Sequence, residues 1–421
     1  MAFTNELLEN TDYTKQIYLV GGAVRDKLLG IPIKDRDYVA VGFSENDFKH
    51  LHKVGKSFPV FLQKDGSQIA LARREKKIRH GYNGFSIEIQ QVSLYEDLKR
   101  RDLTINAIAF DEATQTYHDP FNGIQDLENK TLRHISEAFC EDPLRVLRIA
   151  RFRARLGGEW KIHPSTKVLI YKMRDELHFL ESNRVYKEVE GALLEQNSHL
   201  FFESLFELGV LDVIFPSIYA LTTLKEGNLH HLEASVFAHT MEVLKLVESK
   251  NIKSDKHRLI LKFASLYHDI AKPYCYRNFG NSKGHDNLKI VTPLLDIALP
   301  NAIKTPMLLL IQNHIKIYLL SKMRPAKCVA FFESYKKDST LLELQITLLL
   351  ADKQGSISFE AQQKFSDSNF FAVRTMLLNA FKALLAYSPK EWIAQNTPSP
   401  SAIKAHILKE KIRILKGILY F

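Results

Sequence analysis

Two aspartates separated by one residue, Asp35 and Asp37, stand at the start of a run of β-forming residues, 38–41. Side chains two positions apart on a strand point to the same face, so these carboxylates are expected to lie together. Two like charges at that distance repel unless a cation lies between them, and hard divalent cations prefer oxygen ligands. The spacing predicts a Mg²⁺ site, and a solvated strand end is the alternative interpretation.

A glycine pair, Gly21-Gly22, precedes the aspartates and separates an apolar strand, 17–20, from a short helical stretch, 23–29. Glycine lets backbone N–H groups approach a phosphate closely at the start of a helix. An ordinary turn explains the glycines equally well when they are considered alone. A phosphate-binding turn followed by a metal-binding carboxylate pair predicts Mg²⁺-dependent nucleotidyl transfer.

The order strand, Gly-Gly turn, helix, Asp-x-Asp and strand resembles motif A of the class II tRNA nucleotidyltransferases (the CCA-adding enzymes) and of their bacterial poly(A) polymerase relatives. Four later segments resemble motifs B, C, D and E of that family, in the same order: residues 99–109, 119–127, 141–156 and 183–190. For motif B the resemblance implies that Arg101 contacts the nucleotide and that Asp102 lies beside its ribose. In motif C, Gly123 suits a turn, and Asp126 is expected to cap the helix that follows.

The motif D segment is predicted to be a helix with proline in its first turn. Arginines recur in it at spacings of three and four and therefore form one basic stripe: Arg145, Arg148, Arg151 and Arg155. A solvated arginine face is the simpler interpretation of that stripe. The resemblance implies a different role, in which Glu141, Asp142 and Arg145 of the Glu-Asp-x-x-Arg motif recognise the incoming base.

The chemistry of that motif suits base recognition. Arg145 supplies donors and Asp142 supplies acceptors, so the pair can mimic the complementary edge of C, or of A after a small shift. Arg148 and Arg151 are then expected to hold triphosphate or primer phosphate. Protein side chains would in this way select CTP and ATP without a nucleic-acid template.

The resemblance also implies where metal and phosphate bind. Asp35 and Asp37 are expected to hold two Mg²⁺ ions, and Gly22 and Arg25 to position the triphosphate. Attack of the tRNA 3′-hydroxyl on the α-phosphate would then expel pyrophosphate. A third carboxylate is common in such transferases, and Glu88, on a predicted strand at 85–92, is the candidate.

A third constellation lies in the second half of the chain, where imidazole and carboxylate groups suit divalent transition metals. Its members are His231, His239, His268, Asp269, His285, His314 and Asp352. The order of four of them resembles the HD phosphohydrolase signature, with His285 and His314 where a second metal would take ligands. The resemblance implies hydrolysis of phosphates, including 2′,3′-cyclic ends, with a metal such as Ni²⁺. Where family members carry further histidines before His285, this chain has Asn281-Ser282-Lys283.

Composition limits the class of protein. The chain has 421 residues, of which 45% are hydrophobic, which suffices for two to four domains. A formal net charge of +10 favours polyanionic partners, and the resemblance implies tRNA, CTP and ATP. Three widely spaced cysteines and an N-terminus without an apolar signal core predict a cytoplasmic protein. The apolar run 306–320 is interrupted by polar residues, so we expect a core helix and no membrane span.

The pattern of elements predicts an α+β protein. Short β-rich runs alternate with helical stretches up to about residue 135, and strands are expected to be absent after Glu141. The resemblance implies a polymerase-β-like nucleotidyltransferase head at 1–138, a helical neck at 139–220, a helical HD domain at 221–356 and a helical tail at 357–421. Whether the protein is a monomer or a homodimer stays open.

The function expected from the sequence is addition of CCA to tRNA 3′ ends, with a second metal-dependent phosphohydrolase activity. A bacterial poly(A) polymerase is the alternative enzyme, although those relatives usually read Asp-Phe-Asp where this chain has Arg36 between the aspartates. An RNA-binding HD protein with a vestigial transferase domain is the alternative from another class.

Overall fold

The computed structural model describes residues 3–4, 14–55, 59–77, 85–88, 91–225, 235–248, 252–356 and 367–419. Two compact units divide the chain. The first comprises Met1–Val185 and Leu208–Val213, and the second comprises Tyr186–Glu207 and Ile214–Phe421. Within the described residues, strands occur in the first unit alone, so the predicted α+β class is confirmed.

A mixed sheet forms the centre of the first unit, with the strand order β1-β10-β9-β2-β3-β6-β5-β4. Two further pairs, β7 with β8 and β11 with β12, complete the strands that the described residues form. The bounds are β1 Phe3–Thr4, β2 Gln16–Val20, β3 Asp37–Val41, β4 His52–Val54, β5 Val60–Leu62, β6 Gln68–Leu71, β7 Arg74–Lys77, β8 Phe85–Glu88, β9 Ala109–Asp111, β10 Thr116–His118, β11 Thr131–Leu132 and β12 Lys161–Ile162.

The centre of the sheet is buried on both faces. In β3, Val39 and Val41 pack on one side with Leu94 and Leu98, whereas Ala40 packs on the other side in a separate apolar cluster. This alternation is what a strand requires, and burial on both faces explains the nearly continuous apolar run.

Helices of the first unit flank this sheet and follow it. Their bounds are α1 Gly22–Leu28, α2 Leu94–Lys99, α3 Gly123–Glu128, α4 Leu144–Leu156 and α5 Pro164–Lys172, with α6 Ser182–Leu194 and α8 Leu211–Ile214 running across the boundaries between the two units in sequence. The predicted helix at 141–156 is confirmed except for its first turn, where a 3-10 helix ends at Glu141.

The second unit is built from helices packed around apolar side chains. Their bounds are α7 His199–Glu207, α9 Pro216–Ala220, α10 Val236–Glu248, α11 Asp255–Tyr267, α12 Lys272–Phe279, α13 Leu288–Val291, α14 Asn301–Tyr318, α15 Pro325–Glu333, α16 Thr340–Gly355, α17 Asp367–Ala386, α18 Lys390–Asn396 and α19 Pro400–Leu419. One stretch, Phe370–Asn396, has the length and hydropathy of a membrane span, but the chain leaves the helical conformation between α17 and α18.

Two local expectations from the sequence are wrong. A strand does occur after Glu141, because β12 pairs with β11 in parallel through two residues. The N-cap residue of α3 is Asn122, and the carboxylate of Asp119 accepts hydrogen bonds from the first N–H groups of the helix, those of Gly123 and Ile124, at 2.7 and 2.8 Å. Asp126 lies inside α3 and accepts from Thr104 Oγ1 at 2.7 Å.

The backbone of Gly123 packs so closely against neighbouring atoms that no side chain fits there. A Cβ at Gly123 would lie 2.3 Å from the backbone oxygen of Thr104 and 2.8 Å from Ile108 Cγ1. We expect Gly123→Ala to lower the free energy of unfolding by about 2–3 kcal/mol, because backbone has to move. Gly417→Ala is the matched control, since its Cβ would meet nothing within 4 Å and alanine favours a helix. Denaturant unfolding measures both, and a wild-type midpoint for Gly123→Ala would contradict this packing.

Candidate functional site

The aspartate pair lies at the start of the central strand β3, beside the glycine turn. Asp37 is the first residue of β3 and is paired with Val20, the last residue of β2, so its backbone adjoins Gly21. Asp35 precedes it in irregular backbone, and both side chains are exposed. By strand alternation Asp37 lies on the same face as Val39, which is the face that α2 covers.

The electrostatics of Asp37 show that charged groups converge there. Partial desolvation raises the pKa of the Asp37 carboxyl. The positive charge of Arg101 opposes this shift, and the negative charge of Asp35 adds to it. Mutual repulsion between the two carboxylates is what a bound cation would relieve, so this donor set fits a hard divalent ion such as Mg²⁺.

Two guanidinium groups flank the glycine turn. Gly21 has a φ of +70°, and a Cβ on it would lie 3.1 Å from Nη1 of Arg101. A Cβ on Gly22 would lie 3.4 Å from Nη2 of Arg25. The turn therefore presents glycine backbone between two positive charges. Arg25 itself is buried, and it donates to Asp26 and to Asn106.

Asp97 of α2 fixes the arginines of the predicted motif B. This carboxylate is 0% exposed and accepts from Nη2 of Arg100 at 2.6 Å and from Nη2 of Arg101 at 3.0 Å. Burial would raise its pKa, but the two arginines lower it to about 2. Arg101 is thereby held beside Gly21, in the place where the sequence predicts a nucleotide contact.

Asp97→Asn should make the first unit less stable and flatten its response to acid. The pKa is about 2 in the folded protein and about 3.9 when unfolded, so the charge contributes roughly 2–3 kcal/mol at pH 7. That contribution is complete above about pH 4 and is lost as the pH falls toward 2. Unfolding followed from pH 7 to pH 2 should show a smaller fall for the variant, and equal slopes would contradict the assignment.

The start of α4 holds the residues predicted to recognise the base. Asp142 accepts from Nη2 of Arg184 at 2.7 Å and from the N–H of Leu144 at 3.2 Å. Arg145 donates to the carbonyl oxygens of Ala138 at 2.8 Å and Arg100 at 2.7 Å. The two side chains are therefore adjacent on one turn, and each is oriented by a second element.

Asp102 links the predicted motif B to α4. It is 7% exposed and accepts from Nε of Arg148 at 2.8 Å and from Nδ2 of Asn106 at 3.0 Å. Burial opposes its ionisation, but Arg148 and Asn106 lower its pKa to about 2. The ion pair with Asp102 thus neutralises part of the predicted basic stripe of α4. Arg151 of the stripe is half-buried, as is Glu141.

The second constellation is buried in the second unit and forms two triads of possible ligands that share Asp269: His239, His268 and Asp269, and Asp269, His285 and His314. Asp269 Oδ1 lies 3.1 Å from Nε2 of His285, and Nε2 of His285 lies 3.1 Å from Nε2 of His314. Asp352 closes the first triad, with Oδ1 at 3.2 Å from Nε2 of His239.

Backbone carbonyls orient three of these imidazoles. Nδ1 of His268, His285 and His314 lies 2.7, 2.6 and 2.6 Å from the carbonyl oxygen three residues earlier, which directs each Nε2 toward Asp269. This is the outer contact that metal-binding histidines usually make. The buried Nε2 of His268 has no hydrogen-bond partner among the described residues. An inward-facing, unsatisfied imidazole nitrogen fits a transition-metal ligand.

Charge in this cluster also suits a cation. Burial opposes ionisation of Asp269, but His268 and Lys272 hold its pKa well below its usual range. Burial and the neighbouring His285 lower the pKa of His314 to about 3, so its imidazole is neutral and able to bind metal. A cavity of about 210 Å³ opens on the cluster, with Lys272 and Lys353 in its wall.

The described residues place most of the predicted site residues in these two groups. His231 lies outside the described residues, as does the side chain of Glu88. Sequence reasoning missed Asp97, Asn106 and Arg184 as partners of the predicted contacts. The spacing of Asp97 three and four residues before Arg100 and Arg101 was a usable signal for the first of them.

Comparison with known proteins supports the same picture. Residues 17–133 match the family described as Poly A polymerase head domain, and residues 160–221 match the probable RNA and SrmB-binding site of polymerase A. A multifunctional CCA protein of Mannheimia succiniciproducens is 38% identical over 362 residues, covering 82% of this chain and 85% of the relative.

Solved structures share the fold at lower identity. A CCA-adding enzyme in complex with CTP is 22% identical with a TM-score of 0.61, and the match covers 98% of this chain and 90% of that one. The Thermotoga maritima CCA-adding enzyme complexed with tRNA is 20% identical with a TM-score of 0.56, covering 96% and 90% of the two chains. Taken with the multifunctional relative, these similarities show that the chain belongs to the class II CCA-adding enzymes.

Proposed function

We propose that this enzyme adds C, C and A in turn to tRNA 3′ ends from CTP and ATP, without a nucleic-acid template. The observation that carries the proposal is the convergence of Asp35, Asp37 and Arg101 on the Gly21 turn, where the central strand β2 ends and β3 begins. The multifunctional CCA relative and the structures solved with CTP, ATP and tRNA support the same substrates.

Asp35 and Asp37 would hold the magnesium ions, which when bound activate the tRNA 3′-hydroxyl and neutralise charge on the triphosphate. Gly22 supplies backbone that a phosphate can approach, and Arg25 and Arg101 place positive charge on either side of it. The 3′ oxygen attacks the α-phosphate in line, and pyrophosphate leaves.

Base selection falls to the start of α4. Arg145 donates and Asp142 accepts, which matches the edge that C or A presents. Their present partners, backbone carbonyls and Arg184, hold both side chains in one orientation before a nucleotide binds. We assign Glu141 to the same group, Asp102 to the ribose side, and Arg148 and Arg151 to phosphate contacts.

The tRNA is expected to bind by shape and backbone charge, since the chain carries a net charge of +10. We assign the protein to the cytoplasm as a monomer or homodimer, with the head, neck, HD domain and tail bounded as the sequence predicts. The apolar stretch Phe370–Asn396 lies in this tail. We assign it to the folded protein and not to a membrane, because the break between α17 and α18 would leave backbone groups unsatisfied in a bilayer.

Two truncated tRNAs test the transferase proposal. CTP alone should add two residues to tRNA that ends before CCA, and ATP alone should add one residue to tRNA ending in CC. ATP alone should leave the shorter tRNA unchanged. Repeated addition of A to either substrate would identify a poly(A) polymerase instead, and no addition at all would favour a vestigial transferase domain.

We further propose that the buried cluster of the second unit is a metal-dependent phosphohydrolase site, acting on phosphate ends including 2′,3′-cyclic phosphates. His239, His268, Asp269 and Asp352 would hold one divalent transition metal such as Ni²⁺, and His285 and His314 with Asp269 a second, which when bound would activate water. Lys272 and Lys353 in the cavity wall supply positive charge for a phosphate.

A further inference from the structure

Asp26 carries a buried carboxylate that two arginines from different elements share. Its Oδ1 accepts from Nε and Nη2 of Arg25 at 2.9 and 2.8 Å, and its Oδ2 accepts from Nη2 of Arg155 at 2.7 Å. Asp26 is 4% exposed and lies in α1, directly after the glycine turn. Arg155 lies in the last turn of α4. One carboxylate therefore ties the phosphate-binding turn to the far end of α4.

A second connection returns to the middle of α4 through the segment after α2. Nη1 of Arg25 donates to Oδ1 of Asn106 at 2.8 Å, and Nδ2 of Asn106 donates to Oδ1 of Asp102 at 3.0 Å. Asp102 then accepts from Nη2 of Arg148 at 2.7 Å. The path runs from α4 to α1, on to Asn106, and back to α4 without a gap.

The aromatic ring of Phe152, in α4, lies near two of these arginines. It lies 5.2 Å from the guanidinium carbon of Arg25 and 6.0 Å from that of Arg148. The ring of polar contacts contains three arginines and two aspartates. We name these residues the α1–α4 clamp: Arg25, Asp26, Asp102, Asn106, Arg148, Phe152 and Arg155.

We propose that Asp26 is a positioning residue for nucleotide selection, acting through the α1–α4 clamp. The proposal rests on the proposed CCA addition and extends it. Reading C and then A with the same side chains requires the start of α4 to keep a defined position above the phosphates. The clamp provides that position, because its two connections anchor α4 near both its middle and its end to the residues that flank Gly22. Asp26 is buried and would act through Arg25 and Arg155.

Loss of the Asp26 charge would leave Arg25 and Arg155 without the negative charge that they share, and α4 would lose its direct link to α1 through Arg155. The connection through Asn106 and Asp102 would remain. Transfer chemistry at Asp35 and Asp37 would persist, but nucleotides would be held less accurately. The effect should therefore appear in KM and in the choice of base more than in kcat.

The test compares Asp26→Asn, Arg155→Met and the wild-type enzyme on tRNA that ends before CCA. Arg155→Met removes only the direct hydrogen bond between α4 and Asp26 and keeps the Arg25–Asp26 pair. It therefore tests the proposal on its own if Asp26→Asn does not fold. Glu159→Gln is the matched control, since it removes an exposed ion pair with Lys130 just beyond α4. Circular dichroism and tRNA affinity confirm that each variant is folded.

We expect both clamp variants to raise the KM for CTP about tenfold or more, and to raise the ratio of UTP to CTP incorporation by a similar factor. The control should match the wild type in both. Folded clamp variants with wild-type base selectivity would overturn the proposal, whether or not KM rises. Absence of transfer by the wild-type enzyme would count against the proposed function instead.

Discussion

Asp37→Ala should abolish nucleotide addition while tRNA binding stays near the wild-type level. Asp37 is paired with the end of β2, beside the glycine turn. The positive charge of Arg101 lowers the pKa of Asp37 and the negative charge of Asp35 raises it, so both groups lie near the carboxylate. Without it, a bound cation would lose the ligand that is anchored in the sheet. We expect the rate of CTP incorporation to fall by about three orders of magnitude.

Single-turnover extension of a labelled tRNA measures that rate, and a filter-binding assay measures affinity for tRNA. Asp35→Ala should behave in the same way, because the pair acts as a unit. Glu45→Ala is the matched control, an exposed acidic residue of the same unit that pairs with Lys53. Persisting incorporation by either aspartate variant would refute the metal assignment.

His268→Ala should remove hydrolysis of 2′,3′-cyclic phosphate and leave CCA addition unchanged. His268 Nε2 is buried, lies 3.3 Å from Asp269 Oδ2, and is oriented by the carbonyl oxygen of Ser265. Loss of a coordinating imidazole should lower metal affinity by more than the roughly tenfold to hundredfold that loss of an outer contact costs. Hydrolysis should fall at least as much.

Metal content of the purified protein gives a readout that is independent of activity. His257→Ala is the matched control, because this histidine begins the same helix, α11, and pairs at 3.4 Å with Asp338 outside the cluster. Loss of both activities in His268→Ala would argue against two separate sites. Unchanged metal content together with unchanged hydrolysis would remove the cluster from the mechanism.

Local patterns in the sequence predicted the elements well. The period of apolar residues in 144–156 corresponds to a helix with those bounds, and the apolar run 17–20 lies in β2. Residues 18–20 of that strand are buried as predicted, whereas Ile17 is exposed. Such segments are specified by nearest neighbours and by burial of one face or both. Pro306 shows the limit of such local rules, since it lies inside α14 although proline usually ends or kinks a helix.

The partners of the site residues could not be predicted in the same way. Asp26 and Arg155 are 129 residues apart in sequence, and Arg25 and Asn106 are 81 apart. Their contacts arise only when elements distant in sequence pack together, so no spacing rule indicates them. Contacts with other segments also explain why the prediction for Asp126 failed. Thr104 and Arg133 donate to the carboxylate of Asp126, and Asp119 accepts from the first N–H groups of α3 instead.

The arginines of α4 show that a correctly predicted helix face can have a role that its pattern does not indicate. Their spacing predicted one continuous basic stripe, and the helical register agrees with it. Arg148 and Arg155, however, form ion pairs with the buried Asp102 and Asp26. Part of the stripe therefore holds the helix in place.

Sequencing the 3′ ends of products tests the central proposition, that protein side chains alone order the addition of C, C and A. The wild-type enzyme is given tRNA that ends before CCA, with all four nucleoside triphosphates present. The structure predicts products that end in CCA and no further extension. Products that carry runs of A, or that incorporate G or U at rates similar to C, would contradict it.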